Sequence, residues 1–126
     1  MAKEMIVPDP DRKPMGFAPG TKLGNLIFVS GQVGVGADGL VSGGIREQVR
    51  QTFANLEIVL KAGGASLADV MKITCFLVRE SDYKAYAEER AKAFPQNAQP
   101  ASSTIIVKAL AKPEFLVEIE AVAAVG

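Results

Sequence analysis

The sequence predicts an α+β domain with two helices packed on one face of a mixed sheet. Three observations carry this expectation. Residues 44–62 repeat apolar side chains at helical spacing. Four short runs, 26–30, 70–78, 103–108 and 115–122, are apolar and β-rich. The segments alternate in the order β-β-α-β-α-β-β, within 126 residues that fit one domain, 1–126.

Residues 8–22 contain Pro8, Pro10, Pro14, Gly16, Pro19 and Gly20, a density of breakers that predicts an irregular segment. Leu26-Ile27-Phe28-Val29-Ser30 reads as a buried strand that Gly31 breaks. The run from Val33 to Gly39 reads as a strand end and a turn, with Asp38-Gly39 as the turn signal. Gly34-x-Gly36-x-x-Gly39 fits the dinucleotide-binding string, but no helix follows it, so a hairpin turn is expected there.

In the first helix, Ile45, Val49, Thr52, Phe53, Leu56, Val59 and Leu60 form one stripe, and Gly63-Gly64 stops it. Ser66-Leu67-Ala68-Asp69 has capping-box spacing and predicts one helical turn. Residues 70–78 read as a strand buried on both faces. Ser81 caps a second helix running to about Phe94, with Tyr83, Tyr86, Ala87, Arg90, Ala91 and Phe94 on one side and Pro95 ending it. Helices on one side leave the other sheet face uncovered, and self-association is the economical cover.

Composition excludes several chemistries. The chain has no histidine, which removes Ser-His-Asp triads, Cys-His pairs and His-ligated metal sites. A single cysteine, Cys75, rules out a disulfide within the chain and reads as a buried structural thiol. Fourteen basic and fourteen acidic residues cancel, and aromatics are sparse, so a nucleic-acid partner is not expected. No apolar run reaches the roughly 18–20 residues of a membrane span, and the N-terminus lacks a signal-peptide core, so a cytoplasmic protein is expected.

Candidate chemistry lies in few places. In the run 115–122, alternation puts Val117, Ile119 and Ala121 on one face and Leu116, Glu118, Glu120 and Val122 on the other. Two carboxylates about 7 Å apart along one strand suit an acid or base in a cleft; the competing reading is a solvated strand face or pairing with Lys or Arg across the sheet. Ser30-Gly31-Gln32 ends a strand where a glycine lets a ligand approach the backbone. Ser102, Ser103 and Thr104 offer hydroxyls to a polar ligand, and Arg90 offers a bidentate cation.

The string Leu23-Gly24-Asn25-Leu26-Ile27-Phe28-Val29-Ser30-Gly31-Gln32 resembles the signature of the Rid family, also called YjgF or L-PSP. Residues 48–63 and 65–74 and the closing Glu118-Ile119-Glu120-Ala121 fit it in the same order. The resemblance implies a chorismate-mutase-like fold and a homotrimer with a central β-barrel, helices outside and clefts between subunits. It also implies hydrolysis of reactive 2-imino or 2-aminoacrylate compounds to 2-oxo acids and ammonia, without metal or organic cofactor. Glu120 would position the attacking water, and Ser30, Gly31 and Gln32 would line the substrate site.

Three positions depart from that pattern: Ser102 stands for an Arg that grips the substrate carboxylate, Phe17 for a Tyr, and Ala87 for an Asn. A hydroxyl supplies no fixed positive charge. The expected substrate is therefore another enamine or imine, of the 2-aminomuconate type for example, with Arg90, Lys72 or Lys108 as substitute cation. A non-catalytic small-molecule-binding protein is the alternative reading, and an RNA-directed endoribonuclease or translation inhibitor the weaker one.

Overall fold

Each strand of the sheet is short, and the strands closest to the helices carry the core. The computed structural model describes residues 2–126. Its elements are β1 (Glu4–Ile6), β2 (Gly20–Leu23), β3 (Leu26–Gln32), β4 (Val35–Gly36), β5 (Gly39–Leu40), α1 (Ile45–Ala62), β6 (Val70–Leu77), α2 (Tyr83–Ala93), β7 (Ala101–Ile106) and β8 (Val117–Ala124). Six strands form one sheet in the order β1-β2-β3-β8-β6-β7. Only the β6–β7 pair is parallel, with α2 as its crossover, so the sheet is mixed.

The predicted stripe of α1 faces the sheet: Val49, Thr52, Phe53, Leu56, Val59 and Leu60 are all buried. They pack with Ile27 and Val29 of β3, Ile73, Cys75 and Leu77 of β6, and Val117, Ile119, Ala121 and Ala123 of β8. Phe53 and Phe94 meet edge-to-face at 5.4 Å where the two helices touch. Gly63 and Gly64 stop α1 as expected. The Ala65 N–H donates to the Leu60 carbonyl and the Gly64 N–H to that of Lys61, with Gly64 at φ +85°. The Ser66 N–H donates to Asp69 at 2.8 Å and holds a 3-10 turn at Leu67–Asp69.

Four expectations need correction. The segment 8–22 is not irregular throughout, because Gly20–Leu23 pairs with both β1 and β3; all four prolines lie outside these strands. The strand at 70–78 is buried on one face only, since the helices cover one side and Met71 stands 57% exposed on the other. Ser81 does not cap α2. Residues 80–82 form a 3-10 turn, Asp82 precedes the helix, and Arg79 pairs with Asp82 at 2.8 Å. The buried side of α2 holds Tyr86 and Glu89, while Tyr83 and Ala91 are exposed.

The glycine-rich stretch is a β4–β5 hairpin, with Gly39 at φ +101° in its turn, as the missing helix predicted. No helix is long and apolar enough to cross a membrane among the described residues.

Candidate active site

β3 and β8 pair regularly from Leu26↔Ala124 to Val29↔Ala121, then resume at Gln32↔Ile119. Three steps on β3 thus face two on β8, a bulge at Ser30-Gly31. Two helix side chains hold this region in place. Asn55 donates to the Val33 and Val35 carbonyls, both at 2.9 Å. Buried Gln48 donates to the Glu114 carbonyl at 3.1 Å and accepts from the Leu116 N–H at 2.9 Å, fixing the entry to β8. The loop before β2 is tied down as well. The Ser30 N–H donates to the Pro19 carbonyl, and the Ser30 hydroxyl to that of Ala18 at 2.6 Å.

The bulge brings Gly31 against Glu118. A Cβ at Gly31 would run into the Glu118 carboxylate, so a side chain here would push that carboxylate aside. Glu118 is half-buried, and burial, with the nearby Glu120 charge second, pushes its pKa above the ordinary carboxylate value. Glu120 is exposed on the same face and shares a cavity of about 210 Å³ with Ser30, Thr21 and Phe28. Alternation alone leaves these two carboxylates equivalent and the resemblance singles out Glu120; the bulge instead sets Glu118 apart, against Gly31.

Phe17 is exposed and lines the same region, in grooves that also hold Ser30 or Gly31 and Gln32. Arg12, which sequence reasoning missed, lies over the Phe17 ring at 5.1 Å and donates to its carbonyl at 3.1 Å. Its proline-rich surroundings carry no periodic signal that could have singled it out.

The hydroxyl run does not act as one group. In the parallel β6–β7 register Ser103 lies beside Thr74, which in turn faces Glu120, so these three form a row across the open face. Lys72 donates to Ser103 at 2.8 Å there. Ser102 and Thr104 align with Ile73 and Cys75 and therefore point to the helix side. On that side Arg90 lies over the Tyr86 ring at 5.2 Å, with its Nη1 3.4 Å from the Ser102 hydroxyl.

Thus Phe17, Ser30, Gly31, Gln32 and both glutamates belong to one cluster at the β3–β8 side. Arg90, Ser102 and Thr104 belong to a second cluster at the β7 edge. Cys75 is buried, and desolvation pushes its thiol up to about 12, as a structural thiol requires.

A mixed six-stranded sheet, two helices on one face and a polar site at a strand bulge define an α+β domain of known type. The model of the family described as Endoribonuclease L-PSP matches residues 12–125. A RutC family protein of Pyrococcus abyssi is 36% identical over 98% of both chains. The 2-iminobutanoate/2-iminopropanoate deaminase of Dermatophagoides farinae is 35% identical over 87% of both. The crystal structure of YyfA from Yersinia pestis, of the Rid protein family, superposes with a TM-score of 0.89 at 29% identity, covering 98% of this chain and 100% of that one. The chain belongs to the Rid (YjgF, L-PSP) family.

Proposed function

We propose that the protein is a deaminase-type hydrolase of small enamines or imines, with Glu118 as its acid and base. The observation that carries this reading is the half-buried Glu118 carboxyl, raised in pKa and seated against Gly31 at the β3 bulge. A carboxylate tuned upward by burial holds a proton more readily than an exposed one, which suits it to take a proton and return it. The deaminase name of the mite relative supports the reaction class.

In this reading water adds to the carbon of the protonated imine while Glu118 accepts one of its protons, which leaves a neutral carbinolamine. Glu118 returns that proton to nitrogen as the C–N bond breaks and ammonia leaves, and the hydroxyl left on carbon gives up its proton to become the carbonyl. Imine and water become a carbonyl compound and ammonia, with no redox change. Glu120 flanks this carboxyl and orients water, Phe17 covers the cleft, and groups at Ser30, Gly31, Gln32, Ser103 and Thr104 hold the substrate.

The complete site is proposed to lie between subunits of a homotrimer built around a central barrel. The open sheet face supports this, since it leaves Phe28, Met71 and Ile105 between 45% and 57% exposed. So does the placement of the two clusters at opposite parts of one sheet. Light scattering should give three times the chain mass. A monomer would refute the shared cleft. The zero net charge gives no support to an RNA substrate.

The test is ammonia release from freshly generated 2-iminobutanoate and from 2-aminomuconate. Turnover that falls at least a hundredfold in Glu118→Gln, and less in Glu120→Gln, is expected. Binding without turnover in the wild type would replace the enzyme by a non-catalytic binding protein.

A further inference from the structure

The cavity beside Glu120 holds about 210 Å³, less than the roughly 300–1,000 Å³ of an ordinary small-molecule site. It does not end there. Thr21 and Ser30 line both this cavity and a larger groove of about 680 Å³, so the two adjoin. The sheet register shows the direction the groove takes. Met5 pairs with Thr21 and Thr21 with Phe28, so these three stand in one row on the open face. That row runs from the glutamate strand outward to the edge strand β1.

The groove has two walls. Met5 and Thr21 come from β1 and β2, and Met15 and Phe17 from the loop before β2. Met5 is 70% exposed, Met15 61% and Phe17 54%. Three large apolar side chains lining one groove differ from the scattered exposure of an ordinary surface. The loop wall is held in place: Arg12 lies over the Phe17 ring and donates to its carbonyl, and the Ser30 hydroxyl donates to the Ala18 carbonyl. The two methionines, by contrast, are unbranched and adapt to what lies against them. Lys3 and Arg12 are the only charged residues of this lining, and both are cations, so a positively charged occupant is disfavoured.

We propose that the groove between Met5 and Met15 receives the carbon chain of the substrate, so that the protein selects imines and enamines carrying a long, uncharged apolar chain. This deepens the hydrolase reading and rests on it. The C=N carbon stands by the two glutamates, and the chain leads past Thr21 and Ser30 toward the edge of the sheet. Each methylene that enters leaves water for thioether and ring surface. Selectivity for chain length thus comes from a wall that takes no part in proton transfer.

Calorimetric titration with three 2-oxo acids that share a head group and differ in chain length tests this: 2-oxobutanoate, 2-oxohexanoate and 2-oxooctanoate. Wild type should gain about threefold in affinity per added methylene, and so at least tenfold from the first acid to the third. The double variant Met5→Ser, Met15→Ser should bind 2-oxobutanoate as wild type does and lose the gradient. Met15→Leu should keep the gradient, and so should Ile58→Ser, at an exposed apolar position on α1. 2-Oxo-5-guanidinopentanoate, of similar length but ending in a cation, should bind no more tightly than 2-oxobutanoate. No gradient in the wild type, an unchanged gradient in the double variant, guanidino-acid binding as tight as that of 2-oxooctanoate, or no binding of any acid would overturn the proposal. Ammonia release from 2-iminobutanoate with no gradient defeats the groove alone. A gradient with no ammonia release from imines of any chain length defeats the hydrolase alone.

Discussion

Glu89 and Glu118 are both drawn out of water, and the sheet and the helices treat them in opposite ways. Glu89 on α2 accepts from Arg50 at 2.8 Å and from Arg46 at 2.9 Å, and these bonds hold its carboxyl down to about 2. Glu118 on β8 has no basic partner among the described residues; burial raises it, and Glu120 adds to the rise. Burial alone therefore does not mark a functional acid. A carboxylate satisfied by arginines welds α1 to α2, whereas one left unsatisfied at a bulge is available for proton transfer.

Exchanging the charge at each position should break this comparison most sharply. Glu118→Gln should cost at least a hundredfold in ammonia release while leaving the melting temperature unchanged or slightly higher. Gly31→Ala should come next. The added methyl displaces the Glu118 carboxylate, and steady-state kinetics should show roughly a tenfold or greater loss of kcat.

Glu89→Gln should do the reverse of Glu118→Gln. Activity should persist, and stability should fall by about 1–2 kcal/mol, because hydrogen bonds to a charged group are lost but Arg46 and Arg50 remain largely in water, where the pairs are screened. Thermal melts would read this as a shift of several degrees.

The pH dependence is the smallest effect, and its signs differ. Glu89 has a folded pKa below its ordinary 4.5, so its contribution is present above 4.5 and is lost as pH falls toward about 2. Glu118 has a folded pKa above 4.5, so it binds its proton more tightly when folded. It favours the folded state at low pH and loses that advantage as pH rises through its folded pKa. Denaturation curves of the two variants against pH should therefore diverge from wild type in opposite directions.

Much of the helix side of the fold was legible from periodicity. Nearly every residue of the α1 stripe is buried, because a repeat of 3.6 admits one solution. β1 and β2 were hidden by the prolines around them, which flank the strands without entering them. β8 runs two residues later than its signal, because Phe115 and Leu116 are held in the entry loop by Gln48 and the small Ala121 and Ala123 extend the core face.

The site was legible as residue types but not as an arrangement. Period two places Glu118 and Glu120 on one face; only the register slip at Ser30-Gly31, a contact far along the chain, makes them unequal. The same periodicity divides Ser102 and Thr104 from Ser103, and the partner strand settles which side each takes.

The central claim is that Glu118 is an unsatisfied, proton-exchanging carboxyl. The most direct measurement is a ¹³C NMR titration of the glutamate side-chain carboxyls, assigned with Glu118→Gln and Glu89→Gln. The account predicts Glu118 titrating above 4.5 and Glu89 near 2. A Glu118 midpoint at or below 4.5 would contradict it.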